Sequence, residues 1–342
     1  MGQIPQITVA GGPRERGLSH GERLKGRIHQ TFDFYAREIF RTSPLDMEEI
    51  RHRAAHVRDT ILGFRPDYGT EIEAIAEGAG MEAWQIYALN ARTEILNART
   101  AECTAVLFRD TAMLGQNWDW IREMEEQVVL LNYHFGNGHR IATLTEPGML
   151  AKIGLNSRGI GVCLNILFSS HRLDGLPVHI LLRAILDCTD LGEVRETVQR
   201  AGGGKASHFL VADDQGDYCS IEFAGSQRYE VQPFDGCLIH TNHYIAPGTE
   251  NMDVLVPGSE ERLVQGKEWL RGIGGHDLEQ MKSILLDDSA GSKSINSCYH
   301  AEELLGGLQV GTCATVIMDL PLRRLYLKKG PGAAGGFVQV PV

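Results

Sequence analysis

Apolar residues along the first hundred positions recur at steps of three and four. Leu24, Ile28, Phe32, Tyr35 and Ile39 fall on one face of a helix predicted over residues 21–40, and Ile50, Ala54, Val57, Ile61 and Leu62 on one face of a second. A third helical stretch is predicted over residues 70–96, with soft breaks at Gly78 and Gly80. At Cys103 the period changes. CTAVLFRD, AMLGQNWDW, QVVLLNYHF, RIATLTEPG and GIGVCLNIL are short β-branched or aromatic runs separated by turn residues such as Asn137-Gly138, the pattern of consecutive antiparallel strands. Helices are predicted next over 177–188 and 191–201, with Pro177 and Asp190 as start signals. Strands resume at SHFLVAD, DYCSIEF, RYEVQPF and GCLIHTN. Two further helices, 259–270 and 277–286, precede a closing hairpin of CATVIMDL and RRLYLKK.

Blocks of strands broken by helix pairs argue against a parallel doubly wound sheet, which needs strict alternation. Two antiparallel sheets covered by helical layers bury this pattern well. The expected fold is therefore α+β, a four-layer αββα sandwich over residues 103–342, preceded by a helical segment over residues 1–102.

Composition narrows the function. Lys and Arg number 33 against 44 Asp and Glu, a formal charge of −11, which is the wrong sign for a nucleic-acid or anionic-membrane partner. No run approaches 18 apolar residues and no apolar signal core is visible near the start, so a cytoplasmic protein without a membrane partner is expected. The seven cysteines are scattered with no C-x-x-C pair, which fits neither a disulfide framework nor a zinc knuckle. His52 and His56 lie four apart on a helix but between arginines, as on a solvated face. The GGGKAS tract lacks the first Gly and the final Ser or Thr of a phosphate loop, with Gln199 and Ala206 in those places. By residue type alone, Cys103 with Asp119 on the next strand is an ordinary buried cysteine near a carboxylate.

The stretch NARTAECTAVLFRDTAMLGQNWDW, residues 97–120, resembles the autoprocessing segment of the acyl-coenzyme A:6-aminopenicillanic acid acyltransferase-like family, N-terminal nucleophile hydrolases similar to the choloylglycine hydrolases. NARTEIL at 90–96, LTEPGMLAKIGLNSRGIGVCLN at 144–165, LPVHILLRAILD, KASHFLVAD, HTNHY at 240–244 and TVIMDLPLRRLYLKKGPG extend the resemblance in order across most of the chain.

The resemblance implies cleavage of the bond between Glu102 and Cys103, giving a small subunit of residues 1–102 that stays bound to a large subunit of residues 103–342. Cys103 is then nucleophile and, through its freed α-amine, its own base. Asp119 matches the carboxylate that holds the amine. Asn242 matches the amide that donates to the tetrahedral oxyanion, and Asn165 a second such donor. Trp118, Trp120 and Phe168 are candidate walls of an acyl pocket; Ser207 and Ser294 match recurring serines without an assigned step. Glu102 stands where the penicillin branch typically has Gly. The implied substrate is a small N-acyl amide, with no metal or other cofactor, and homo-oligomerisation is left open. Amide hydrolysis is expected over acyl transfer. The alternatives are an uncleaved relative that binds a small acyl ligand, and an internal Cys-His hydrolase in which His243 serves Cys103.

Overall fold

The structure, a computed structural model, describes residues 4–40, 45–96, 103–169, 175–224, 227–250, 252 and 256–342. It opens with β1 (Gln6–Ala10), followed by α1 (Pro13–Phe34), whose last turn continues as a π-helical turn, Tyr35–Ile39. Then come α2 (Met47–Phe64), α3 (Pro66–Ala79), α4 (Ala83–Asn90) and α5 (Arg92–Leu96). Sequence and structure part at 70–96. Gly80, at φ 68°, ends α3, and two short helices follow. Gly78 breaks nothing. It lies inside α3, where a Cβ would stand 2.5 Å from the Leu18 carbonyl oxygen. On α1, Gly21 faces the Ile75 carbonyl oxygen at 2.3 Å from where its Cβ would be, so these glycines let the two helix backbones approach closely.

The sandwich follows. Strands β2 (Thr104–Phe108), β3 (Met113–Ile121), β4 (Val129–His134), β5 (Arg140–Thr145), β6 (Ile153–Asn156) and β7 (Gly161–Ile166) lead to α6 (Val178–Leu186) and α7 (Leu191–Ala201). Asp190 caps α7 by accepting from the Glu193 N–H at 2.9 Å. Next are β8 (Ser207–Ala212), β9 (Tyr218–Ala224), β10 (Gln227–Glu230) and β11 (Cys237–His240), then α8 (Ser259–Gly272) and α9 (Leu278–Leu285). The chain ends with β12 (His300–Glu302), β13 (Leu308–Asp319), β14 (Arg324–Lys329) and β15 (Val338–Pro341).

One sheet has eight strands in the order β1, β4, β5, β6, β7, β8, β9, β10. The other runs β11, β2, β3, β13, β14, β15, with β12 added beside β13. Among the described residues, all strand pairs are antiparallel except the first. Strand β1, which apolar periodicity did not reveal, lies parallel to β4 with Gln6 opposite Leu130, so the opening segment is part of the sandwich sheet. Helices α6 and α7 cover the eight-stranded sheet, while α8 and α9 cover the other, completing four layers.

Strand β2 lies between two packed faces: Val106 and Phe108 join Leu263 and Met281 beneath α8 and α9, whereas Ala105 and Leu107 belong to the core between the sheets. Burial on both sides explains why these strands read as continuous apolar runs. Among the described residues no helix is long and apolar enough to cross a membrane.

The α1–α3 contact yields a test. Gly21→Ala forces a methyl against backbone and is expected to lower unfolding stability by about 1–3 kcal/mol. Urea denaturation measures it, and an unchanged midpoint would disprove the close contact.

Candidate active site

Strand register brings the key residues together before any side chain is considered. On one side of β2, Cys237 pairs with Phe108 and His240 with Ala105, so two more steps place Asn242 beside Cys103. On the other side Thr104 pairs with Asn117, which brings Trp118 and Asp119 alongside Cys103. The bulge in β13 at Cys313 falls opposite the step from Trp118 to Asp119, where it disturbs the alternation of faces.

Three side chains then clamp the main chain of residue 103. Its N–H donates to Asn242 Oδ1 at 2.7 Å. Its carbonyl accepts from Asn165 Nδ2 at 3.0 Å and from Arg262 Nη1 at 2.9 Å. Arg262 also donates to Thr104 Oγ1 (3.1 Å) and, through Nη2, to Asn242 Oδ1 (3.0 Å). Arg262 is fully buried, and its partners among the described residues include no carboxylate. Sequence reasoning missed it, because in SEERLVQG it looks like any polar position of an amphipathic helix.

The clamp residues are themselves held. His208 Nδ1 faces Asn165 Oδ1 at 3.1 Å, and its Nε2 faces the Ser220 hydroxyl at 2.8 Å. Donation from Nδ1 turns the Asn165 amide nitrogen toward Cys103. His240 stacks on His208 with ring centroids 3.6 Å apart and meets Glu222 Oε1 through Nε2 at 2.7 Å. Glu222, fully buried, also accepts the main-chain N–H groups of Ile245 (2.8 Å) and Ala246 (3.1 Å), which pins the loop carrying Asn242.

A cavity of about 40 Å³ opens beside Cys103. Trp118, Trp120, Ile153, Leu164 and Ile166 form its apolar lining. Asp119, Arg92, Lys152 and His179 bring polar groups to it. Glu146 lies behind, taking Arg92 at 2.6 Å and Lys152 at 2.8 Å on one oxygen and the Tyr35 hydroxyl at 2.6 Å on the other. The sequence reading singled out none of Arg92, Glu146, Lys152 and Tyr35, although three of them lie in or beside the stretches that carry the resemblance.

Burial pushes the Cys103 thiol up to about 11; the Asp119 carboxylate adds to this, and the Asp119 N–H, Lys152 and Arg262 oppose it. Burial lowers the Lys152 ammonium to about 8 against the pull of Glu146. Burial also disfavours ionised Glu146, but Arg92 and Lys152 overcome it and hold the carboxyl below its usual range.

Of the residues expected in the site, Cys103, Asp119, Trp118 and Trp120 line the cavity, while Asn242 and Asn165 grip the Cys103 backbone. Asn165, expected as an oxyanion donor, spends its amide hydrogens on the carbonyls of Cys103 and His240. Phe168 is absent from the cavity wall and packs beneath the Lys205 ammonium, 5.3 Å from the ring centroid. Ser207, opening β8, donates to the Lys205 carbonyl, and Ser294, in a loop, accepts from the Ala290 N–H. No hydrogen bond joins His243 to Cys103 among the described residues. The His243 Nδ1 meets the hydroxyls of Ser259 at 2.7 Å and Thr241 at 3.2 Å. Glu102 lies outside the described residues.

Two antiparallel-rich sheets between helical layers, with a cysteine entering an inner strand, define the N-terminal nucleophile hydrolase fold. A conjugated bile acid hydrolase from Clostridium perfringens, solved as a mutant, superposes with a TM-score of 0.50 at 13% identity, over 71% of this chain and 92% of that one. Residues 107–328 match the sequence model of the family described as "Acyl-coenzyme A:6-aminopenicillanic acid acyl-transferase". The chain is 31% identical over 333 residues to the acyl-coenzyme A:6-aminopenicillanic-acid-acyltransferase 40 kDa form of Emericella nidulans, covering 92% of both chains. It is 24% identical over 218 residues to protein dcd1A of Dictyostelium discoideum, covering 53% of this chain and 49% of that one. The chain belongs to the acyl-coenzyme A:6-aminopenicillanic acid acyl-transferase family.

Buried neutral histidines give this region a pH signature. Burial lowers His20 and His243 to about 4 and holds His179 and His208 well below their usual value. The unfolded chain therefore binds more protons than the folded one at pH below about 6.5, so this stability is full above that value and declines as pH falls toward about 4. Urea midpoints are expected to fall steadily between about pH 7 and about pH 4.5; a flat profile would contradict the burial of these rings.

Proposed function

We propose that the chain cuts itself between Glu102 and Cys103 and that the freed cysteine then cleaves linear amides through an acyl-thioester. In maturation the thiol attacks the Glu102 carbonyl, the acyl group moves from nitrogen to sulfur, and water hydrolyses the thioester, leaving Cys103 with a free amine and residues 1–102 with a new carboxylate. In turnover the amine takes the thiol proton and the sulfur attacks the substrate carbonyl. The ammonium returns that proton to the departing amine, and water releases the acid and restores the thiol.

The observation that carries this reading is the clamp on residue 103. Its N–H, its carbonyl and the next hydroxyl are all engaged by buried side chains, while the residue stands at the cavity wall. Such fixation suits a group that attacks at close range. Asp119 is assigned to hold the ammonium. Asn242 is assigned as oxyanion donor: Nδ2 carries two hydrogens, of which the Ile166 carbonyl takes one. Asn165 and Arg262 position the nucleophile. The first 102 residues are assigned as a small subunit retained by the rest.

Hydrolysis is favoured because water is always present, yet the same thioester supports transfer when an amine replaces water. The name of the Emericella relative describes such a transfer. Products from a panel of N-acyl amides, with and without acyl-coenzyme A, separate the two; acyl release only with an added amine acceptor would establish transfer.

Denaturing mass spectrometry tests maturation. Fragments of about 11 and about 26 kDa are expected by proportion of chain length, with Cys103→Ala remaining at 37.7 kDa. An unbroken wild-type chain that never matures would instead support the binding protein.

A further inference from the structure

The charges beside Cys103 do not balance. Lys152 is buried, with 4% of its side chain exposed, and its ammonium hydrogen-bonds Glu146 Oε1 while lying 3.7 Å above the Trp118 ring. The same Glu146 oxygen holds Arg92, whose guanidinium lies over the rings of Trp120 and Tyr35. One carboxylate thus serves two cations in a fully buried cluster, so one positive charge remains, poorly screened by water. The other groups around the cavity do not cancel it. Asp119 brings a second carboxylate to the wall, but Arg262, which grips the Cys103 carbonyl, brings a third cation, so three cations still face two carboxylates. His179 is kept neutral by burial and has no hydrogen-bond partner among the described residues for Nδ1. Glu94, close in chain to Arg92, accepts the Val178 N–H at 2.8 Å, and burial pushes its carboxyl up, toward the neutral form.

We propose that Arg92, Glu146 and Lys152 form an electrostatic trigger for Cys103, in which Arg92 occupies Glu146 and so leaves Lys152 with unbalanced positive charge toward the nucleophile. This rests on the reading of Cys103 as an N-terminal nucleophile. A fixed positive charge favours the thiolate over the thiol and the neutral amine over the ammonium, so the Cys103 unit sheds protons at a lower pH. Both changes favour attack. The trigger operates below about pH 8, where Lys152 still carries its proton. Its parts come from both sides of the proposed cut: Arg92 and Tyr35 from residues 1–102, Glu146 and Lys152 from residues 103–342. The small segment thereby contributes charge to the site as well as covering it. Lys152 and Arg92 are positioning residues in this scheme, since they act through the sulfur and nitrogen of Cys103.

The test is the pH dependence of Cys103 alkylation by iodoacetamide in matured protein, where the freed amine takes the thiol proton, followed from about pH 5 to about pH 11, with the modified residue identified by peptide mass mapping. Lys152→Met is expected to raise the midpoint by about one pH unit, a tenfold slower reaction at a fixed pH below it. Lys152→Arg should keep the wild-type midpoint. Arg92→Met should raise it although Lys152 is intact, because Glu146 then neutralises Lys152 alone. Glu146→Gln should move it down. A purely structural role would not produce opposite shifts from two members of one cluster. Midpoints unmoved in Lys152→Met, or Glu146→Gln and Lys152→Met shifting the same way, would overturn the trigger; should Glu146→Gln not fold, the Lys152→Met and Lys152→Arg pair still decides. Cleavage is scored separately in every sample. A matured wild type with unresponsive midpoints defeats the trigger alone, whereas a wild type without a free residue 103 defeats the underlying reading.

Discussion

The main chain of residue 103 is fixed by one buried guanidinium and two buried amides, and the rest of the site is arranged around that grip. Removing Arg262 from water is costly, and no carboxylate among the described residues repays it. What offsets the cost is hydrogen bonding: Arg262 reaches the Cys103 carbonyl, the Thr104 hydroxyl and the Asn242 amide oxygen together. A carboxylate partner in the same place would cancel the charge and compete for those donors. Without one, the cation stays directed at the cysteine. The same logic extends outward, since His208 orients Asn165 and Glu222 holds both His240 and the loop bearing Asn242. The two sheets meet through polar side chains at this end of the sandwich and through apolar ones elsewhere, which is why a polar site survives in so dry a setting.

How far this was legible from sequence depended on the range of the interaction. Helix α7 was readable nearly to the residue because its start signal, Asp190, is local and acts within a turn. Strands β1 and β6 were not. Each is short, and β1 is defined by a partner more than a hundred positions away. Cys103, Asp119 and Asn242 stood out only through resemblance, since a buried cysteine and two strand-end polar residues have no spacing rule of their own. The register of β2 with β3 and β11 explains afterwards why they meet. Arg262, Arg92 and Lys152 were hidden for the opposite reason: cations are common on helices and loops, and only the fold shows that these three are buried. Phe168 was misplaced because an aromatic residue after a strand carries no indication of which cavity it will face.

Charge and burial also divide the labour among the ionisable groups. Glu146 is held ionised by the Arg92 and Lys152 cations around it, whereas the imidazoles of His20, His208 and His243 are kept neutral by burial and serve as fixed hydrogen-bonding wedges. The interior is therefore polar without being loosely hydrated. Its geometry is set by directional bonds that a change of protonation would break.

The parallel strand at the beginning of the chain has a mechanical implication. Residues 6–10 are laced to residues 130–134 along the rim of the larger sheet, so they belong to the same hydrogen-bonded fabric as strands that come long after residue 103. A break in the backbone at that residue would leave two polypeptides woven through a common sheet. Their separation would require unzipping a ladder, and the pieces would behave in dilution as one body whose dissociation is as slow as its denaturation.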